Sequence, residues 1–276
     1  IPDNNVGQVP NVGFVVGSRA TLVIDPGLGR RNGEVVRREV GRFSRNTELY
    51  LASTHYHTEH TSGHLAFPAS ATYVNSTVQE ADFVQGAAQP AKSFAGRSAV
   101  HAELVKDVTQ RKADITFERD YLLDLGGVRV RFLVVGPTHT RGDTILFVEG
   151  DNVLFAGDVV MKNSFVAANA SMKGWLAAYH LLESMRPNVI VPAHGPIGDG
   201  SLIAINREFM QHIQARTRAL KAEGRPVDDI AATGLVAPLV GHVGDGNFHL
   251  TMLVDVENPD EVERADAFIG RLNLRA

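Results

Sequence analysis

Short apolar stretches alternate along this chain with longer amphipathic ones. The short ones read as strands over 12–17 (VGFVVG), 20–25, 48–53, 127–135, 143–149, 152–156 and 188–192. From Val128 to Val134 the alternation is strict: Val128, Val130, Phe132 and Val134 share one face, and Arg129 and Arg131 the other. Gly150-Asp151-Asn152, between two apolar runs, reads as a hairpin turn. The longer stretches predict helices over 33–44, 77–85, 93–109, 174–186 and 202–223. Ser76 with Gln79 forms a capping box. In the last helix Ile205, Phe209, Ile213 and Leu220 recur at near-helical spacing, and Gly224 and Pro226 stop it. Strands interleaved with helices predict an α/β domain with helices packed outside sheets.

Length and composition narrow this picture. A chain of 276 residues suits one large domain, or one domain with a small appendage, and buries a core without covalent staples. The absence of cysteine excludes disulfides, zinc fingers, iron–sulfur clusters and a thiol nucleophile. Net charge is −4 with a pI near 6.3, and no basic run occurs, so neither nucleic acid nor an anionic membrane is an expected partner. No apolar run is long enough to cross a bilayer. The chain opens at Ile1 with a strand almost at once, so a removed upstream segment is expected, with a periplasmic or secreted location favoured over a cytoplasmic one.

The chemistry concentrates at Ser53-Thr54-His55-Tyr56-His57-Thr58-Glu59-His60, directly after the strand over 48–53. In an extended turn His55 and His57 can point at one centre, while Glu59 and His60, opening a helix, can reach a second. Imidazole nitrogens and carboxylate oxygens are the ligands zinc takes. Three later loops each put one further ligand-type residue just past a strand: His139 after 127–135, Asp158 after 152–156 and His194 after 188–192. Rigid strand ends hold loop side chains in place, which is why sites gather there. Four such loops in series are hard to explain as caps or core polar residues.

This pattern resembles the metallo-β-lactamase fold superfamily, whose His-x-His-x-Asp-His motif is followed by a distant His, Asp and His. Here it reads His55-Tyr56-His57-Thr58-Glu59-His60, then His139, Asp158 and His194, and the resemblance covers roughly residues 1–233. It implies an αββα sandwich with a metal site at one edge. It also implies two zinc ions, the first held by His55, His57 and His139, the second by Glu59, His60 and His194, with Asp158 bridging. A hydroxide shared by the two ions would attack an ester, thioester, lactone or lactam of a small-molecule substrate, with Asp158 orienting it and taking its proton. A bridging carboxylate resembles the thioesterase and lactonase branches more than the true β-lactamases. The departure is Glu59, one methylene longer than the family's Asp, which points to a second site that is weaker or holds manganese or iron. The other readings are a non-hydrolytic iron or redox member of the fold and a binding protein with a degraded site. The family usually has strands before the position of Ile1, so an incomplete first sheet is expected.

Tyr56, between two ligands, and Lys162 and Asn163, after the Asp158 loop, are the expected substrate contacts. Ser53 and Ser164 are expected to be structural, and Trp175, the only tryptophan, to lie in the core. His64 is expected in a surface or supporting role, His101, His180 and His212 as ordinary helix residues, and Arg141-Gly142-Asp143 as a chance match to an adhesion tripeptide.

From about Gly234 the sequence changes character. The run from Pro238 through Gly241-His242 to Asn247-Phe248-His249 resembles the C-terminal domain of flavin-linked D-lactate and glycolate dehydrogenases. There, two such histidines serve a divalent-metal substrate site, which implies His242 and His249 here. The downstream acidic ligand and the flavin-binding domain are not in this sequence, and two histidines alone make a poor site. The expectation is a fused strand–helix fragment over 234–276, with a strand over 250–256 and a helix opened by Asn258-Pro259-Asp260, and no oxidoreductase activity. Its glycine-rich run lacks the Gly-Lys-Ser/Thr ending of a phosphate loop.

Overall fold

In strand β2 (Ala20–Ile24), Leu22 and Ile24 face one way and Val23 the other, and all three are buried. A strand buried on both faces must lie between two layers. The computed structural model describes residues 9–86, 88–161, 171–224, 239–242 and 247–250. The chain falls into two units, Ile1–Met210 and Gln211–Ala276.

In the first unit one sheet has the order β1-β2-β3-β4-β5. Its strands are β1 (Gly13–Val16), β2, β3 (Glu48–Ala52), β4 (Thr72–Ser76) and β5 (Ile115–Phe117). β1 pairs antiparallel with β2, and the other pairs are parallel. The second sheet has the order β10-β9-β8-β7-β6. It comprises β6 (Asp120–Asp124), β7 (Arg129–Val134), β8 (Thr144–Val148), β9 (Val153–Gly157) and β10 (Val189–Pro192), with only β9–β10 parallel.

Three apolar clusters order the layers. Leu22, Ile24, Ala52 and Val74 of the first sheet meet Val130, Phe132, Leu146 and Phe155 of the second. On the first sheet's other face, Val23, Leu51 and Tyr73 pack against Val36 and Val40 of α1 (Gly29–Phe43). On the second sheet's other face, Ile145, Leu154 and Ile190 pack against α6 (Met172–Met185) and the start of α7 (Ser201–Ala222), through Trp175, Tyr179, Leu202 and Met210. The layers run α, β, β, α, as the motif's resemblance implied. The strict alternation expected over 128–134 is seen in β7: Val130 and Phe132 are buried and Arg129 and Arg131 are exposed, both paired with Glu149.

Two expectations are corrected. The single helix expected over 93–109 is two, α4 (Ala88–Ala95) and α5 (Ala99–Val105), after α3 (Thr77–Gly86). Gly96 weakens the helix, and the Ser98 side chain accepts the His101 N–H to start a new one. Strands β4, β5 and β6 were not expected: β4 carries polar Asn75 and Ser76, β5 has three residues and β6 is an edge. The Ser76–Gln79 capping box forms, each side chain reaching the other's backbone N–H at 3.2 Å. No helix among the described residues is long and apolar enough to cross a membrane.

The second unit shows a hairpin of β11 (Leu239–His242) and β12 (Asn247–Leu250), with Val240 opposite His249 and His242 opposite Asn247. The strand beyond Leu250 and the terminal helix lie outside the described residues.

Candidate metal centre

The parallel strands β2, β3, β9 and β10 deliver their loops to one edge of the sandwich. β3 leads into Ser53–His57 and then the single turn α2 (Thr58–Thr61), while β9 leads to Asp158 and β10 to His194. His139 arrives from the loop between β7 and β8. That loop is built around the buried Asp143, which accepts hydrogen bonds from the Thr140 N–H at 2.7 Å and the Thr140 hydroxyl at 2.6 Å, and from the Thr138 hydroxyl. Burial pushes the Asp143 carboxyl up, against His139 and these hydrogen bonds. The Arg-Gly-Asp tripeptide is therefore structural. Its Arg141 side chain and Gly142 N–H both bind Asp82, at 2.7 and 3.1 Å.

All of the expected ligands come together. His57 Nδ1 lies 2.9 Å from His55 Nε2 and 3.2 Å from His139 Nε2. Glu59, His60 and His194 form a second trio, and the ligand atoms of each trio lie within 4.8 Å of one another. Asp158 stands between them. Its Oδ2 is 3.4 Å from His139 Nε2 and 3.9 Å from His55 Nε2. Its Oδ1 is 3.7 Å from His60 Nε2 and 3.6 Å from His194 Nε2. One carboxylate oxygen thus addresses each cluster.

The donor set fits cations. Glu59 Oε2, His60 Nε2 and Asp158 Oδ1 are buried without a hydrogen-bond partner, a costly state for polar atoms unless something else binds them. Burial and the neighbouring imidazoles drive the His55 ring well below its ordinary value, so it stays neutral with a lone pair to donate. Burial lowers His57 and His194 as well. Burial opposes charge on Asp158 and His60 too, but their surroundings outweigh it. Asp158, among His194, His60, His139 and His57, is held down at about 2. His60, between Asp25, Asp158 and Glu59, is raised to about 9. Burial raises Glu59, which a nearby cation would reverse. The longer Glu59 side chain still reaches the second trio.

Sequence reasoning missed two supporting residues. Asp25 follows β2 with φ of +52°, and its Oδ2 lies 3.1 Å from His60 Nδ1. It also accepts the Thr54 N–H at 2.7 Å and the Thr54 hydroxyl at 2.9 Å. The signal was its place at a strand end, shared with the ligands. Asn11 secures the His194 loop: its side chain donates to the Pro192 carbonyl at 2.8 Å and the Gly195 carbonyl at 2.7 Å. A lone Asn far from the ligand motif gave no signal.

Tyr56 is partly buried, its ring 4.8 Å from that of His57 and 6.3 Å from that of Phe83. Lys162, Asn163 and Ser164 lie outside the described residues. Ser53 is structural, its hydroxyl 2.6 Å from that of Tyr73. His64 is buried, its Nδ1 2.8 Å from the Thr61 carbonyl, and lies outside both trios. Trp175 is fully buried and donates its indole N–H to the Val159 carbonyl at 2.7 Å.

The family model described as "Metallo-beta-lactamase superfamily" matches residues 6–194. The chain belongs to the metallo-β-lactamase superfamily. A metallo-β-lactamase from Pontibacter korlensis superposes with a TM-score of 0.61 at 20% identity, over 73% of this chain and 87% of its own. A metallo-β-lactamase family protein from Thermus thermophilus gives 0.61 at 19% identity, over 77% of each chain. These likenesses carry the superfamily fold. The C-terminal part is similar to something else: the model described as "FAD linked oxidases, C-terminal domain" matches residues 203–276. A probable mitochondrial D-lactate dehydrogenase of Danio rerio is 44% identical over 48 residues, which are 17% of this chain and 10% of that protein. The chain thus spans about a tenth of the length of that relative.

Proposed function

We propose that this superfamily member is a zinc-dependent hydrolase that binds two ions and cleaves an ester, thioester, lactone or lactam of a small molecule. The observation that carries the reading is the division of the Asp158 carboxylate, one oxygen toward each ligand cluster. Two divalent cations held there supply Lewis acidity and a water acidic enough to be a nucleophile at neutral pH. His55, His57 and His139 would hold the first ion, and Glu59, His60 and His194 the second. Asp158, a carboxylate at neutral pH, orients the attacking water by accepting its hydrogen bond. Asp25 fixes the His60 ring so that Nε2 presents its lone pair. Tyr56, which keeps its phenolic proton because burial raises it, borders the reacting centre and can donate to a substrate oxygen. Lys162 and Asn163 are proposed to meet an anionic group on the substrate. Residues 1–233 form the hydrolase domain in this reading, and 234–276 an appended fragment without redox activity.

Elemental analysis of purified protein, paired with hydrolysis of an ester, thioester, lactone and lactam panel, tests it. Close to two zinc ions per chain and turnover of at least one class are expected. His57→Ala loses metal and activity together, and His249→Ala changes neither. Iron in place of zinc, with no hydrolysis, moves the chain to redox chemistry. Loss of turnover in His249→Ala but not in His57→Ala places the chemistry at the wrong end of the chain.

A further inference from the structure

A cavity of about 380 Å³ adjoins the metal centre and shares one wall with it. Tyr56 is that wall: its ring lines the cavity and lies 4.8 Å from the ring of the ligand His57. Thr58 and Thr61 of α2 also line it, although none of the metal ligands does. Phe83 and Tyr73 add aromatic surface, and Ala91 of α4 and Thr109 also belong to the lining.

Two features set what the cavity can hold. Its charge is compensated: Arg111 gives one guanidinium nitrogen to Asp114 at 3.0 Å and to the Ala69 and Ala71 carbonyls. It also offers an acceptor on the His64 ring. His64 Nδ1 lies 2.8 Å from the Thr61 carbonyl, which can only accept, so the hydrogen is on Nδ1 and Nε2 keeps a lone pair. The His64 ring stacks on Tyr73 at 6.0 Å and forms part of the lining. Concave sites of a few hundred Å³ that combine aromatic and apolar walls with placed polar groups are how proteins bind small molecules.

We propose that this cavity is the specificity pocket of the hydrolase, and that it takes an aromatic group bearing a hydroxyl or N–H donor on the acyl side of the substrate. The substrate role rests on the hydrolase reading above. The ligand's ring lies among Tyr56, Tyr73 and Phe83, and its donor reaches His64. A site built to pair a hydroxyl rejects the analogue lacking it, because its own acceptor is then left unpaired.

Saturation-transfer NMR on the full chain tests binding apart from catalysis, with neutral 4-hydroxyphenylacetamide and phenylacetamide as probes. Wild-type protein is expected to bind the hydroxylated probe about tenfold more tightly. Ala91→Trp and Thr109→Trp, which add bulk at two lining positions, abolish binding, and His64→Leu removes the preference. No transfer to wild type, or undiminished transfer in both tryptophan variants, overturns the proposal. On the metal-loaded enzyme, kcat/KM for 4-hydroxyphenylacetyl over acetyl thioesters of N-acetylcysteamine is expected to fall at least tenfold in Ala91→Trp, and an unchanged ratio overturns the substrate role. If wild type binds the probe but cleaves neither the thioesters nor any member of the wider panel, the hydrolase reading fails while the binding site stands.

Discussion

The carboxylate of Asp25 lies 3.1 Å from His60 Nδ1 and turns the other ring nitrogen toward Asp158 and the second ligand trio. His60 is the candidate ligand that Asp25 holds directly, so its influence would fall first on the proposed second site. Removal of such an outer carboxylate typically weakens metal affinity by about 10–100-fold. Asp25→Asn is expected to lower stoichiometry from two ions toward one, with the first site still filled. Metal titration followed by elemental analysis checks this. Equal loss at both sites would contradict the assignment.

The one tryptophan of the chain reports on the same centre. Trp175 is fully buried, with its ring centroid 6.3 Å from that of His139. Its emission is expected at the blue end of the tryptophan range, and its intensity to change when the first site fills. In His139→Ala the metal-dependent change disappears while the blue emission stays. A fluorimetric titration with zinc measures both, and an emission insensitive to metal in wild type would rule the link out.

Gly157, the residue immediately before Asp158, has φ of +54°, and a Cβ added there would meet the Thr54 side chain at 2.6 Å. Thr54 in turn is fastened to Asp25. Gly157→Ala therefore combines a left-handed backbone with a clash that has no easy relief, together costing about 1–3 kcal/mol. The expected result is a lower Tm and weaker metal binding in the same variant. Thermal unfolding with and without zinc decides it. An unchanged Tm would mean the turn relaxes freely.

In the metal-free protein His60 is raised to about 9 from an ordinary 6.5. A folded value above the unfolded one means the charged ring stabilises the fold. That contribution is complete below 6.5 and is lost as pH rises through 9. The apoprotein is expected to lose stability over this window, and His60→Gln to lose the dependence. Denaturant unfolding at a series of pH values measures it. A flat profile in the wild-type apoprotein would show that the ring is neutral.

The candidate ligand loops were legible because each follows an apolar strand, and strand ends are easy to see in sequence. The layering followed from alternation, as in β7, and from helices with one apolar face. What escaped were elements whose burial depends on partners elsewhere. β4 buries Asn75 and Ser76, whose amide and hydroxyl find partners just beyond it, in the Glu80 carboxylate and the Gln79 backbone N–H. Asp25 and Asn11 escaped for a similar reason: their roles are defined by atoms far along the chain. The helix over 93–109 was overextended because apolar spacing continues across Gly96, where the backbone does not.

Asn11 grips both sides of the His194 loop across separations of 181 and 184 residues. The last ligand to be synthesised is thus secured by a segment that left the ribosome long before it. Closing so long a loop is slow and is rewarded only once most other contacts exist. A nascent chain can gather the first imidazole trio early, but it holds a complete second nest only after these distant segments have found each other. In the proposed two-ion reading the second ion would therefore be taken up late, and a cell short of metal would accumulate chains finished in shape yet half-armed.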